Sequence, residues 1–165
     1  MLKKSVIFTL SFMLIISSLA FSSEAAKIQY GPTIASAYAR AYAVSDNGDL
    51  YYWGKSTYNN TNGDQSPERA SPVKTLSGVT AVYGSWWSGF AIRSDNSLWA
   101  LANCADAQGG IKDDMEPPIK IMDDVVQVAC AYNDWAALKT DGTVWYWNYS
   151  GEPPHKVLDG MPETL

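Results

Sequence analysis

The chain has 165 residues, with twelve Lys and Arg against seventeen Asp and Glu, a formal net charge of -5 and a single histidine. That balance excludes a nucleic-acid partner, which needs clustered Lys and Arg to meet phosphate. Two cysteines alone also give no zinc centre, which needs three or four ligands.

Lys3 and Lys4 precede an apolar run from Val6 to Phe21 that is interrupted only by Thr9, Ser11, Ser17 and Ser18. Small and polar residues follow, Ser22 to Ala26. A positive start, a short apolar stretch and a small-residue exit predict a signal peptide over residues 1–25, with Ser23 and Ala25 at the -3 and -1 positions of the cleavage site. The run falls short of the roughly 20 apolar residues of a spanning helix. The processed chain is therefore expected to be secreted or held at the cell surface, with no membrane segment of its own. Removing Lys3, Lys4 and Glu24 leaves ten basic and sixteen acidic residues. What remains, residues 26–165, is enough for one modest domain.

Past residue 33 the same elements recur three times. A short segment of small residues comes first: Ile34-Ala35-Ser36-Ala37, then Val82-Tyr83-Gly84-Ser85, then Val128-Ala129-Cys130-Ala131. Small side chains at one strand position predict a crowded strand whose neighbours approach closely. A hairpin follows each: Ala43 to Gly54 around Asn47-Gly48, Ala91 to Leu101 around Asp95-Asn96, and Ala137 to Trp147 around Asp141-Gly142. These dipeptides tolerate the positive φ of a tight two-residue turn, and their flanks alternate and are rich in β-branched and aromatic residues. The last element opens on proline: Pro72-Val73-Lys74, Pro118-Ile119-Lys120 and Pro154-His155-Lys156. Proline and outward lysine fit an outer strand. Each copy thus supplies about four short strands, and three copies at a period of about 46 residues predict a propeller or an array. The copies span about 34–81, 82–127 and 128–165.

The pattern of small-residue strand, aromatic turn, Asp-Gly hairpin with Trp, loop and Pro-x-x-hydrophobic strand resembles the regulator of chromosome condensation (RCC1) repeat. The resemblance covers about residues 34 to 165. It implies an all-β propeller-type fold with four-stranded blades, usually about seven to a ring, so this chain would supply about three blades of an incomplete ring. It also implies a protein-binding scaffold, since exported bacterial members of this kind typically bind proteins and one group inhibits β-lactamases. The histidine that the family often carries in the strand-linking turn is replaced by Arg40, Ser88 and Asp134. The glycine after the hairpin Trp survives only as Gly54, with Ala102 and Asn148 in its other places. No motif for the nucleotide exchange of the eukaryotic founder is present. Three blades leave two open edges, so the ring is either continued by more chain, closed by self-association or capped.

No catalytic constellation emerges, and no cofactor is implied. His155 falls on the proline-led strand with no nucleophile assigned to it, and the Asp106, Asp113, Asp114 and Glu116 group reads as a solvated loop. Cys104 and Cys130 read either as a disulfide formed after export or as two small half-buried thiols. The hairpin columns Tyr51, Trp99, Trp145 and Trp53, Leu101, Trp147 read as blade core. Tyr38, Trp86 and Tyr132 form a different column, one per copy, in the turn between the small-residue strand and the hairpin, with Trp87 and Trp135 in or beside the same turn. Equivalent turns of a propeller project from one face, and aromatics on a rigid loop face suit partner recognition. The five are the candidate partner-binding residues of a non-enzymatic scaffold. Carbohydrate or cell-wall binding through the same rings, and a purely structural segment of a longer surface protein, stay open as alternatives.

Overall fold

The computed structural model describes residues 31–37, 40–54, 69–86, 88–102, 117–150 and 152–160. Among them lie twelve strands and no helix. The first four are β1 (Ile34–Ala37), β2 (Arg40–Val44), β3 (Leu50–Gly54) and β4 (Arg69–Leu76). The second group is β5 (Val79–Gly84), β6 (Gly89–Arg93), β7 (Leu98–Ala102) and β8 (Ile119–Met122). The third is β9 (Val125–Cys130), β10 (Asp134–Lys139), β11 (Val144–Asn148) and β12 (His155–Leu158). Each group forms one antiparallel four-stranded sheet in chain order. The sheets divide at Ser77-Gly78 and Asp123-Asp124, a few residues before the repeat limits read from the sequence, because β5 and β9 begin ahead of their small-residue stretches.

The hairpin turns are wider than the sequence suggests. Gly48 donates its N–H to the Ser45 carbonyl at 2.8 Å and Ser45 donates to Asp49 at 2.9 Å. The loop therefore has three residues, with one left-handed residue, Gly48 at φ 81°, in place of the two that a two-residue turn needs. Asn96 at φ 60° and Gly142 at φ 80° repeat it. In the second and third sheets a side-chain clip locks the turn. Asp95 Oδ1 accepts the N–H and hydroxyl of Ser97, and Trp99 Nε1 donates to Ser97 Oγ at 2.8 Å. Asp141, Thr143 and Trp145 do the same, and Arg93 and Lys139 lie over the two indoles. The hydroxyl hydrogen bonds from Ser97 and Thr143 hold both carboxyls below their ordinary range.

Strand pairing confirms the repeat position by position. Val73, Ile119 and His155 sit opposite Tyr52, Ala100 and Tyr146, and Lys74, Lys120 and Lys156 sit opposite Tyr51, Trp99 and Trp145. The proline-led strands lie at the outer edge of each sheet, and their lysines pair with Asp49, Asp123 and Asp159. The small-residue strands lie at the opposite edge, where β1 packs on β5 and β5 on β9. Gly84 explains the need for small residues there: a Cβ at this position would collide with the main chain of Ser36.

The sheets stack face to face. Tyr42, Leu50, Val79, Val82 and Ala91 bury the interface between the first and second, and Phe90, Leu98, Val128, Trp135 and Trp147 that between the second and third. Main-chain hooks tie the stack at the hairpin end. The Gly48 carbonyl accepts from Val79 N–H at 2.9 Å, and Asn96 accepts from Val125 at 2.8 Å. Within the second and third sheets, Ser94 and Thr140 donate to the carbonyls of Gly78 and Asp124, which extends the β5–β6 and β9–β10 pairings by one step. The packing steps from the first sheet to the second to the third and leaves the ring open.

Candidate partner-binding face

The turns between the first and second strands of the second and third sheets lie side by side at the end opposite the hairpins. Ser85 donates its N–H to the Ser88 carbonyl at 2.8 Å and takes the Ser88 N–H on its own Oγ at 3.2 Å. Ala131 and Asp134 close the next turn at 2.8 Å. Both turns are one residue pair wide, so Trp86 and Tyr132 sit at their tips and project outward. Trp86 is 46% exposed and Tyr132 57%, and their ring centroids stand 5.7 Å apart with planes tilted by 41°. Rings separated by 46 positions in sequence thus form one exposed pair across two blades. Tyr149 is also exposed, and its N–H donates to Asn133 at 3.0 Å, which places it at the same end.

Trp135 does not belong to this face. It is 1% exposed, with Phe90 and Trp147 rings at 5.4 and 6.0 Å. The cause is strand parity. Trp135 pairs with Trp147 across the hairpin, so both point to the side that meets the second sheet. Its indole N–H reaches the buried Ser85 Oγ at 3.3 Å, so Trp135 braces the turn that carries Trp86 without touching solvent. Tyr38 and Trp87 lie outside the described residues.

Beside Tyr132, Asp134 accepts a short hydrogen bond from the Tyr146 hydroxyl, which raises the Tyr146 pKa above its ordinary value. Asn148 Nδ2 donates to the same hydroxyl at 3.3 Å. His155 lies on the outer strand β12 with its ring 5.6 Å from that of Tyr146. Cys130 is half-buried against the cluster between the second and third sheets; Cys104, the other half of the expected disulfide, lies outside the described residues. Burial pushes the Cys130 thiol up to about 12, which leaves it protonated at neutral pH and a poor nucleophile. Among the described residues no group of three His, Cys, Asp or Glu is placed to hold a metal ion. A cavity of about 330 Å³ between the second and third sheets is lined by Thr80, Asn96, Gln127 and apolar side chains and contains no ionisable group.

Three repeated four-stranded meanders, stacked face to face with their small-residue strands adjoining, define blades of a β-propeller. The particular fold is RCC1-like. The chain is similar to yeast RCC1 (Prp20) as seen bound to Kap60, with a TM-score of 0.51 and 18% identity over 70% of this chain and 29% of that one. It is similar also to Prp20p of Saccharomyces cerevisiae solved for its binding to Gsp1p and histones, with a TM-score of 0.52 and 18% identity over 70% and 30%. Human WBSCR16 superposes with a TM-score of 0.58 and 20% identity over 75% of this chain and 37% of that one. The chain therefore spans about a third of the length of these structures. No family model and no curated protein matches the sequence.

Proposed function

We propose that this chain is an exported, non-enzymatic RCC1-like propeller segment that binds a protein partner through the turn face bearing Trp86 and Tyr132. The observation that carries the reading is the exposed ring pair itself. Two large aromatics from successive blades stand together on short, internally hydrogen-bonded turns. Such rings bury much area at little entropic cost and are the side chains most often found at the energetic centre of protein interfaces. Export rests on the Lys3-Lys4 start and the apolar run to Phe21. The binding of Prp20p to Gsp1p and histones supports a scaffold role for the fold.

The test is a double substitution, Trp86→Ala with Tyr132→Ala, compared with the unaltered chain as bait in extracts of surface and secreted proteins, followed by titration of the captured partner. Loss of one anchoring ring commonly costs about 2 kcal/mol, so affinity should fall by at least about thirtyfold while the melting midpoint holds. Undiminished affinity rejects the reading. Retention on glycan or peptidoglycan arrays that is lost in the same variant assigns the rings to carbohydrate instead.

A further inference from the structure

Each sheet has two faces, and the repeat fixes which residues occupy them. The leading face, turned toward the next sheet, carries Tyr42 and Leu50 in the first sheet, Phe90 and Leu98 in the second, and Ala136 and Val144 in the third. Strand pairing sets the alignment. The trailing face carries Ile34, Ala43 and Trp53 in the first sheet, Val82, Ala91 and Leu101 in the second, and Val128, Ala137 and Trp147 in the third. Wherever a neighbouring sheet is present, these faces close. Tyr42, Leu50, Phe90 and Leu98 are at most 2% exposed, and the second and third trailing triplets at most 8%.

Among the described residues the two end faces have no sheet packed on them. On the third sheet's leading face Leu158 is 46% exposed, and Leu138 and Val144 are only half-buried, although the equivalent Ile92 and Leu98 of the second sheet are closed. On the first sheet's trailing face Ile34 is 68% exposed and Trp53 half-buried, although Val82 and Leu101 in those places are buried. The main-chain hooks are repeated too. Gly142 has the left-handed backbone of Gly48 and Asn96. Gly48 and Asn96 are the residues whose carbonyls join successive sheets in the two existing interfaces.

From this we infer that the leading face of the third sheet docks the trailing face of the first sheet of a second copy of this chain, in a head-to-tail contact that repeats the chain's own internal interfaces. The occupant follows from the two ends being the two halves of one interface. Ile34, Ala43 and Trp53 match the apolar triplets that already cover Tyr42 and Phe90 in the other sheets, and Leu138, Val144 and Leu158 match the surface those triplets cover. A contact of this kind uses different surfaces on the two partners, and it closes into a ring when the rotation per copy allows.

The test uses three forms of the full exported chain, whose sheet content is checked by circular dichroism: unaltered, Ile34→Asp and Leu158→Asp. Both substitutions fall on exposed positions. Sedimentation is measured up to about 100 µM, well above the micromolar range of a modest interface. The unaltered chain should sediment at twice its mass or more, and each variant alone as a monomer. A mixture of the two should return to a dimer, since Ile34→Asp keeps a sound leading face and Leu158→Asp a sound trailing face. If Leu158→Asp disturbs the sheet spectrum, Leu158→Ser is used in its place. A monomeric unaltered chain, an Ile34→Asp variant that still dimerises, or a mixture that stays monomeric would overturn the inference. Ile34 and Leu158 are distinct from Trp86 and Tyr132, so loss of self-association and loss of partner binding are separately readable.

Discussion

The two interfaces inside the chain solve the same packing problem in opposite ways. Between the first and second sheets, Tyr42 presses its ring against Gly89, where a Cβ would stand 2.7 Å from the phenol carbon. Between the second and third, the equivalent Phe90 meets Trp135 in the place of Gly89, and Trp147 completes an edge-on aromatic cluster. One interface is large against nothing, the other large against large. The repeat thus conserves where a side chain points and leaves its volume to be settled pairwise, as close packing requires. The second arrangement has a further consequence, because the Trp135 indole also holds the Ser85 turn and so sets the position of Trp86.

The comparison can be broken from either side. Trp135→Ala should have the larger effect, about 3–5 kcal/mol. It empties the centre of the aromatic cluster and takes the indole donor from Ser85 Oγ, which keeps only the Ser88 N–H. The thermal midpoint should fall by more than about 10 °C, read by calorimetry. Gly89→Ala should cost less, about 1–3 kcal/mol by overpacking, since the ring of Tyr42 is enclosed at 2% exposure and has to shift. A Gly89→Ala chain that melts with the unaltered protein would mean that Tyr42 does not fill that place.

Much of this was legible in the sequence because the code for a hairpin is local. Asn47-Gly48, Asp95-Asn96 and Asp141-Gly142 fix the turns, and counting outward from them gave the alignment of Val73, Ile119 and His155 that strand pairing bears out. The small-residue column also found its reason in the inner strands, where Gly84 passes over Ser36. Two matters were not legible. The width of the turn depends on which donor reaches Ser45, Arg93 or Lys139, and the dipeptides suit two loop lengths. The direction of Trp135 was hidden because it directly follows the turn; its parity with Trp147 across the hairpin was the available signal. The exchange between Tyr42 and Gly89 involves residues 47 positions apart on different sheets, and no local pattern encodes it.

The central claim is that places matched in the repeat are matched in space, blade against blade. It is tested most directly by nuclear Overhauser contacts among selectively labelled aromatic rings of the processed chain. The account predicts cross-peaks from Phe90 to both Trp135 and Trp147, and from Trp86 to Tyr132, pairs joined only through the stacking of the second sheet on the third. Phe90 with contacts to neither tryptophan, in a chain that retains its sheet spectrum, would contradict it.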